Sequence, residues 1–363
     1  MSEYSPVSAE AAALSLLLER QSRSKVRRLC DEHGGPLQAL SARRGGQSGR
    51  LRNGVTRLAL SRRQAQCANG QMGLICQHDP AFPSLLKCIP DAPLALYYRG
   101  EIEVLERPAV AVVGARRASR FGLDLAMALG RGLAGIGVTV VSGLALGIDG
   151  AAHRGALEGQ GATVAVLGSG LDRVQPISHQ PLAGRILARG GLLVSEYPPN
   201  RPATAYQFPE RNRLISGLCA GVVVVEASAR SGSLITARLA AEQGREVMAV
   251  PGAPGLPNSS GANRLLKSGA ALIESVDDVL AELGLSTDPI APRENGAGFR
   301  GIALSEELVA VLDQMDSQAS DTETLALALG LSIQECAVRL TELELGGFVQ
   351  RVADGYIRRP SEF

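Results

Sequence analysis

Three stretches bring reactive or charge-bearing groups close together: FPERNRLISG at Phe208–Gly217, VVGARRAS at Val112–Ser119 and SGLALGIDGAAH at Ser142–His153. Arginine presents a planar fork of donors that matches phosphate oxygens two at a time. Glycine-rich turns that open helices aim free backbone amides at an anion. An aromatic ring beside basic groups gives a splayed-out base a surface to stack on. None of the three contains a nucleophile–base pair or a set of metal ligands. The chemistry on offer is that of holding a phosphate-bearing polymer, not of cutting or modifying it.

Taken one at a time, the residues divide by role. After Val113, Gly114 permits a sharp turn, Arg116 and Arg117 stand ready for phosphate, and Ser119 precedes the next helix. A dinucleotide site is disfavoured, because the spacing is not G-x-G-x-x-G and the following strand ends Val141-Ser142-Gly143 with no acid for a ribose hydroxyl. Gly143 opens the second junction, where Asp149 is placed to cap the helix and His153 reads as a packed histidine, so no catalytic residue is assigned. Gly168-Ser169-Gly170 offers a nest of amides suited to phosphate oxygens, or a plain tight turn. Phe208 with Arg211, Asn212 and Arg213 is the sharpest signal. Either arginine can instead pair with an acid inside the fold, and at least one is expected to. Ser231 and Gly232 stand ahead of a helix, where small residues bind phosphate or simply cap.

These junctions need a frame. Continuous β-branched runs at Ala109–Val113, Val138–Val141, Thr163–Leu167, Leu192–Ser195, Val222–Glu226 and Glu246–Val250 fit strands buried on both faces. Amphipathic stretches lie between them, so the pattern predicts a doubly wound, mostly parallel α/β sheet over 74–285. Ligands of such sheets sit beyond the carboxyl ends of the strands, where the glycine motifs fall. Residues 1–73 read as a small helical module with a basic insertion, since Arg43 to Arg63 holds seven arginines and no acid. A polar linker covers 286–300. The segment 301–363 reads as three helices and a hairpin around Asp354-Gly355, the order of a winged helix. Between Leu304 and Gly355 it carries ten acidic residues against two arginines. That balance argues against reading duplex DNA and for a protein contact or structural role.

Composition sets the outer limits. With 363 residues, two or three domains are expected, and a core built with 3% aromatics and no Trp must be aliphatic. A net charge of +1 confines any nucleic-acid contact to a local patch. The six cysteines are scattered without Cys-x-x-Cys spacing, which points to free thiols in a reducing cytoplasm and to no zinc or other cofactor. No signal peptide and no membrane-spanning run is read.

From Pro108 to Leu280 the chain resembles the DNA-processing protein A family (DprA/Smf), through VAVVGARRAS, SGLALGIDGAAHRGAL, VLGSGLD, SEYPP, FPERNRLISGL, VVVVEASARSGSLITARLAAEQGREVMAVPG and GANRLLKSGA in order. The resemblance implies an extended Rossmann-like domain flanked by a helical (SAM-like) N-terminal module and a C-terminal winged helix. It implies sequence-independent binding of single-stranded DNA, its protection, and loading of the RecA recombinase during natural transformation and recombination. The expected state is a cytoplasmic homodimer with no enzymatic activity. By motif, Arg116 matches the family arginine after the first strand, and Phe208 with Arg211–Arg213 the pocket-lining segment. One departure is Gln175-Pro176-Ile177-Ser178-His179 where the family usually has Tyr-Pro and polar or basic residues. A lysine often used there for DNA is absent, which leaves Arg173, Arg185 or the N-terminal arginines to supply the contact. The alternative function is a nucleotide-processing phosphoribohydrolase-like enzyme on a related sheet. Such enzymes carry Pro-Gly-Gly-x-Gly-Thr-x-x-Glu, and this chain has only Pro251-Gly252-Ala253-Pro254.

Overall fold

The computed structural model describes residues 7–18, 23–43, 49–285, 311, 314–315, 321–345, 349–352 and 355–358. Two compact units are present, residues 1–290 and 291–363. The expected first helix of the winged helix, Ser305–Met315, and the linker 286–300 lie largely outside the described residues.

The run AVAVV becomes β3 (Ala109–Val113), buried along its whole length. Its alternate residues serve two different cores. Val110 and Val112 pack with α6 (Arg120–Gly135) and α7 (Ile148–Glu158), while Ala111 and Val113 pack with α9 (Gln207–Gly217) and α10 (Ser233–Glu242). A strand covered on both faces has no room for polar alternation, hence its unbroken β-branched and Ala composition. The same holds for β4 (Thr139–Ser142), β5 (Thr163–Leu167), β6 (Leu192–Ser195) and β7 (Gly221–Val224), all fully buried.

With β8 (Glu246–Ala249), β9 (Ala271–Leu272), β1 (Gly73–Cys76) and β2 (Ala95–Gly100), these strands form a nine-stranded sheet in the order β1-β2-β6-β5-β4-β3-β7-β8-β9. From β6 to β9 the neighbours are parallel, and β1 and β2 add an antiparallel edge. Chain order runs outward from β3 through β4 to β6, then jumps back to β7 on its other side. The sheet thus reverses direction between β3 and β7, and a crevice at their carboxyl ends is the consequence. Helices α6 and α7 approach each other closely, since a Cβ on Gly155 would stand 2.0 Å from the Met127 carbonyl oxygen.

The six strands expected from the sequence all form, shifted by a residue or two at some ends. The edge strands β1 and β9, and β2 next to β1, were not expected. Their residues carry too little periodicity, and pairing with the existing sheet defines them.

At the amino terminus are α1 (Ala9–Leu18), α2 (Arg23–His33), α3 (Pro36–Arg43) and α4 (Gly49–Asn69). Leu14 and Leu17 of α1 share a core with Leu74, Tyr97, Leu167 and Leu171, so these helices lie directly on the sheet. The basic run is largely helical in α4. Arg63 is 7% exposed and donates to the Tyr97 hydroxyl at 2.8 Å, which removes it from any nucleic-acid surface. In the second unit, Thr322–Leu329 and Ile333–Leu345 are helices, and Val349–Val352 pairs antiparallel with Gly355–Arg358, enclosing a small core of Leu325, Cys336, Leu340 and Val349. That is the helix-turn-helix and β-ribbon of a winged helix. Among the described residues no helix is long and apolar enough to cross a membrane.

Candidate nucleic-acid interface

At the β3/β7 reversal the strands open into a cleft of about 650 Å³. Its walls come from the β3–α6 turn (Arg116, Arg117), the start of α9 (Phe208, Asn212) and the start of α10 (Ser231, Gly232). Arg116 and Arg117 are exposed, because the turn leaves the sheet after Ala115 and the chain does not re-enter a helix until Arg120. The Arg116 guanidinium lies 5.5 Å from the centre of the Phe208 ring, a cation–π contact that holds the charge above the aromatic face. Gly147 (φ +78°) makes room for that turn, since a Cβ there would stand 2.2 Å from the Ala115 carbonyl oxygen. Asn212 Nδ2 reaches the Gly232 carbonyl at 3.4 Å and ties α9 to α10. The first turn of α10 is served from its own loop: Ser231 Oγ accepts from the Ser233 amide at 3.4 Å, and the Ser231 and Gly232 carbonyls accept from the amides of Leu234 and Ile235 at 3.2 and 3.1 Å.

Several residues expected to meet phosphate are engaged elsewhere. Arg213 points away from the cleft, with its side chain 7% exposed and ion-paired with Glu196. Glu196 is also bound by Arg23 of α2 at 2.8 and 2.9 Å, and Arg23 goes on to Asp91 at 2.5 Å and Glu210 at 3.1 Å. Burial pushes the Glu196 carboxyl up, with the Arg23 guanidinium pulling against it. This network fastens α2 to the sheet and α9.

Arg211 stands on the cleft wall but is only 4% exposed. Its Nη1 donates to the Gly143 carbonyl at 2.8 Å and to the Val166 carbonyl, joining α9 to the ends of β4 and β5. Behind it the buried Asp149 carboxylate accepts from the amides of Gly143 at 3.0 Å and Ala145 at 3.4 Å. Burial lowers the Arg211 pKa to about 10, opposed by Asp149, and the same burial raises Asp149, opposed by Arg211. Gly143 is therefore a buried anchor point with its amide already bonded.

The Gly168–Gly170 nest is likewise closed. All three residues are buried, the Gly170 amide donates to the Arg201 carbonyl at 2.8 Å, and the Ser169 hydroxyl to the Arg173 carbonyl at 2.8 Å. The loop 198–201 packs against Gly170 and takes up its amide.

Ser119 caps α6, accepting from the Gly122 amide at 3.0 Å, while its own amide donates to Glu226 at 2.9 Å. Glu226, at the carboxyl end of β7, thus holds the place at the α6 amino terminus where a dinucleotide pyrophosphate would lie. Sequence reading missed this residue, although an acid ending the buried run VVVVE was its signal. His153 and His179 are both buried. His153 Nδ1 shares a 2.7 Å bond with the Thr163 hydroxyl, and burial, helped by His179 and Arg211, drops its pKa to about 3. His179, in the stretch that departs from the family pattern, bonds the Leu144 carbonyl at 2.9 Å.

Residues 73–284 match the family described as DNA recombination-mediator protein A, and residues 300–355 match the DprA winged helix domain. Protein Smf of Escherichia coli strain K12 is 42% identical over 279 residues, 76% of this chain and 75% of that protein. DNA processing protein DprA of Streptococcus pneumoniae R6 is 45% identical over 204 residues, 56% of this chain and 72% of that one. The crystal structure of DNA processing protein A from Streptococcus pneumoniae is similar with a TM-score of 0.57 and 34% identity, covering 76% of this chain and 93% of that one. DNA processing protein A from Helicobacter pylori, whose structure concerns its single-stranded DNA binding mode, gives a TM-score of 0.53 and 30% identity over 59% of this chain and 95% of that one.

Proposed function

The chain belongs to the DNA recombination-mediator protein A family, and from that membership we propose that the β3/β7 cleft binds single-stranded DNA without regard to sequence. The observation that carries this reading is the exposed Arg116 held 5.5 Å over Phe208 at the sheet reversal, a cation and a ring presented together. Phosphates lie on Arg116 and Arg117, with Asn212, Ser231 and Gly232 alongside, and a base stacks at Phe208. Arg211 shapes the wall without giving up its backbone bonds, and Arg213, Ser119, Gly143 and Gly168–Gly170 hold the scaffold. A stacked ring and charged phosphates have no preference among bases, which is why the binding is sequence-independent.

The protein holds DNA rather than transforming it. In support, His153, the imidazole nearest the cleft motifs in sequence, is fully buried, and the Thr163 hydroxyl bonded to it is equally buried and donates to the Val140 carbonyl at 2.7 Å, out of reach of a substrate. The family resemblance adds the remaining parts of the proposal. A homodimer, working in the cytoplasm, protects the strand and loads the RecA recombinase onto it during DNA uptake and recombination. Residues 74–285 carry the strand, 1–73 brace that domain, and the acidic winged helix of 301–363 serves a protein contact.

The test is fluorescence anisotropy of labelled oligo-dT, with a duplex of equal length as competitor, at two salt concentrations. Tight binding that weakens with salt and resists duplex competition is expected. Binding that ignores salt points to a neutral ligand and overturns the reading.

A further inference from the structure

On the far side of the arginine turn a second concavity, of about 670 Å³, opens among Phe121, Val250, Pro251, Leu256 and Asn258. Phe121 sits in the first turn of α6 with 66% of its surface exposed, and Leu256 across from it is 56% exposed. Large apolar side chains this open are not part of the core. Asn258 lines both concavities, and its Nδ2 donates to the Arg117 carbonyl at 2.9 Å, so the two meet at the arginine turn. Arg116 and Arg117 are exposed at that turn.

The polar groups of this second concavity are as telling as its apolar wall. Glu226 lines it, with its carboxylate accepting from the Ser119 amide at 2.9 Å, the Ser119 hydroxyl, and Asn258 Nδ2 at 3.3 Å. Those bonds fix the carboxylate in place, and a carboxylate has about four acceptor positions in all, so capacity remains. An apolar wall of Phe, Pro and Leu with a fixed acceptor and a side-chain amide beside it matches the chemistry of a nucleobase: an apolar face with a polar edge.

We propose that this concavity is a second base-binding subsite, in which a nucleotide next along a strand held by Arg116 and Arg117 stacks on Phe121 against Leu256. The inference rests on the single-strand reading of the first cleft and extends it. From Arg116 to Phe121 the chain spans five residues, at most about 18 Å. That is about five nucleotides at the 3.4 Å rise of a stacked strand, and fewer for an extended one. Both subsites thus fall within the stretch of strand that a single binding module covers.

The chain contains no tryptophan, so Phe121→Trp in the full-length protein introduces a sole indole reporter. With oligo-dT of about 15 nucleotides, the indole emission should be quenched in step with the anisotropy of the same labelled strand. Phe121→Ala should weaken that long oligonucleotide about 5- to 150-fold and leave a strand of about four nucleotides, confined to the first cleft, unaffected. Unchanged emission while anisotropy reports saturation overturns the second subsite and leaves the first standing. Equal weakening of long and short strands by Phe121→Ala overturns it too, by making Phe121 a support of the first cleft. An emission shift that follows protein concentration without DNA assigns the concavity to a second copy of the chain. If wild type shows no anisotropy change at all, the single-strand reading falls and this inference with it.

Discussion

Replacing Arg116 by alanine separates a phosphate contact from a structural arginine. Its guanidinium is exposed and supported by the Phe208 ring at 5.5 Å. Removing it therefore disturbs little of the fold, with stability expected to stay within about 0.5 kcal/mol of wild type. A hydrogen bond to a charged group contributes about 1.5–3 kcal/mol, so the dissociation constant for oligo-dT should rise about 10- to 150-fold. One phosphate contact fewer also lowers the slope of log affinity against log salt by about 0.7 for a single strand. Arg213→Met is the counterpart. That side chain is 7% exposed and paired with Glu196, which is itself 9% exposed. Its loss leaves a buried carboxylate with Arg23 alone and should destabilise by about 3–5 kcal/mol, while the salt slope keeps its wild-type value. The assays are anisotropy over a salt series and urea denaturation of the same preparations. A wild-type slope in folded Arg116→Ala, or a reduced slope in Arg213→Met with stability intact, would refute the placement of the strand.

Phe208→Ala should weaken oligo-dT by about 1–3 kcal/mol through lost stacking and leave the salt slope unchanged, since no charge is removed; the same salt series checks both. The neutral, buried His153 makes stability pH-dependent. Its pKa is about 3 in the fold against 6.5 for the free side chain, so below pH 6.5 the unfolded chain takes up a proton that the folded one refuses. Its contribution is complete above about pH 6.5 and is lost as pH falls toward 3, amounting to about 3 kcal/mol between pH 7 and 4.5. Urea denaturation at those two pH values should show that fraction of the acid loss disappearing in His153→Gln, and parallel profiles would contradict it. Gly147→Ala places a Cβ 2.2 Å from the Ala115 carbonyl at a φ of +78°. The urea midpoint should drop by an amount equivalent to more than about 2 kcal/mol, with oligo-dT affinity falling as the Arg116 turn shifts. An unmoved midpoint would show that the turn accommodates the methyl group.

Much of the scaffold was legible in the residues themselves. Strands buried on both faces have to be apolar at every position, so AVAVV and GVVVV announce themselves without any knowledge of their neighbours. Helices between such runs follow from spacing, and a doubly wound sheet follows from the alternation. That in turn places every glycine-rich turn at one edge, and the order of the strands then places the cleft at the β3/β7 reversal. The strands β1, β2 and β9 were not legible: β1 and β9 have four residues or fewer, too few to show a period, and β2 is defined by its antiparallel pairing with β1 and β6.

Which donors stay free was not legible either. Arg116, Arg211 and Arg213 have the same chemistry in the sequence and three different fates in the fold. One faces solvent over Phe208, one is fixed to the Gly143 and Val166 carbonyls, and one neutralises Glu196. The Ser119 and Gly170 amides look equally available until Glu226 and the 198–201 loop reach them. The partners concerned lie far off along the chain, 173 residues for Arg23 and Glu196 and 107 for Ser119 and Glu226. Periodicity and turn chemistry are short-range properties and can be read locally. The engagement of a hydrogen-bonding group is a property of whatever folding places beside it, and only the tertiary structure decides that.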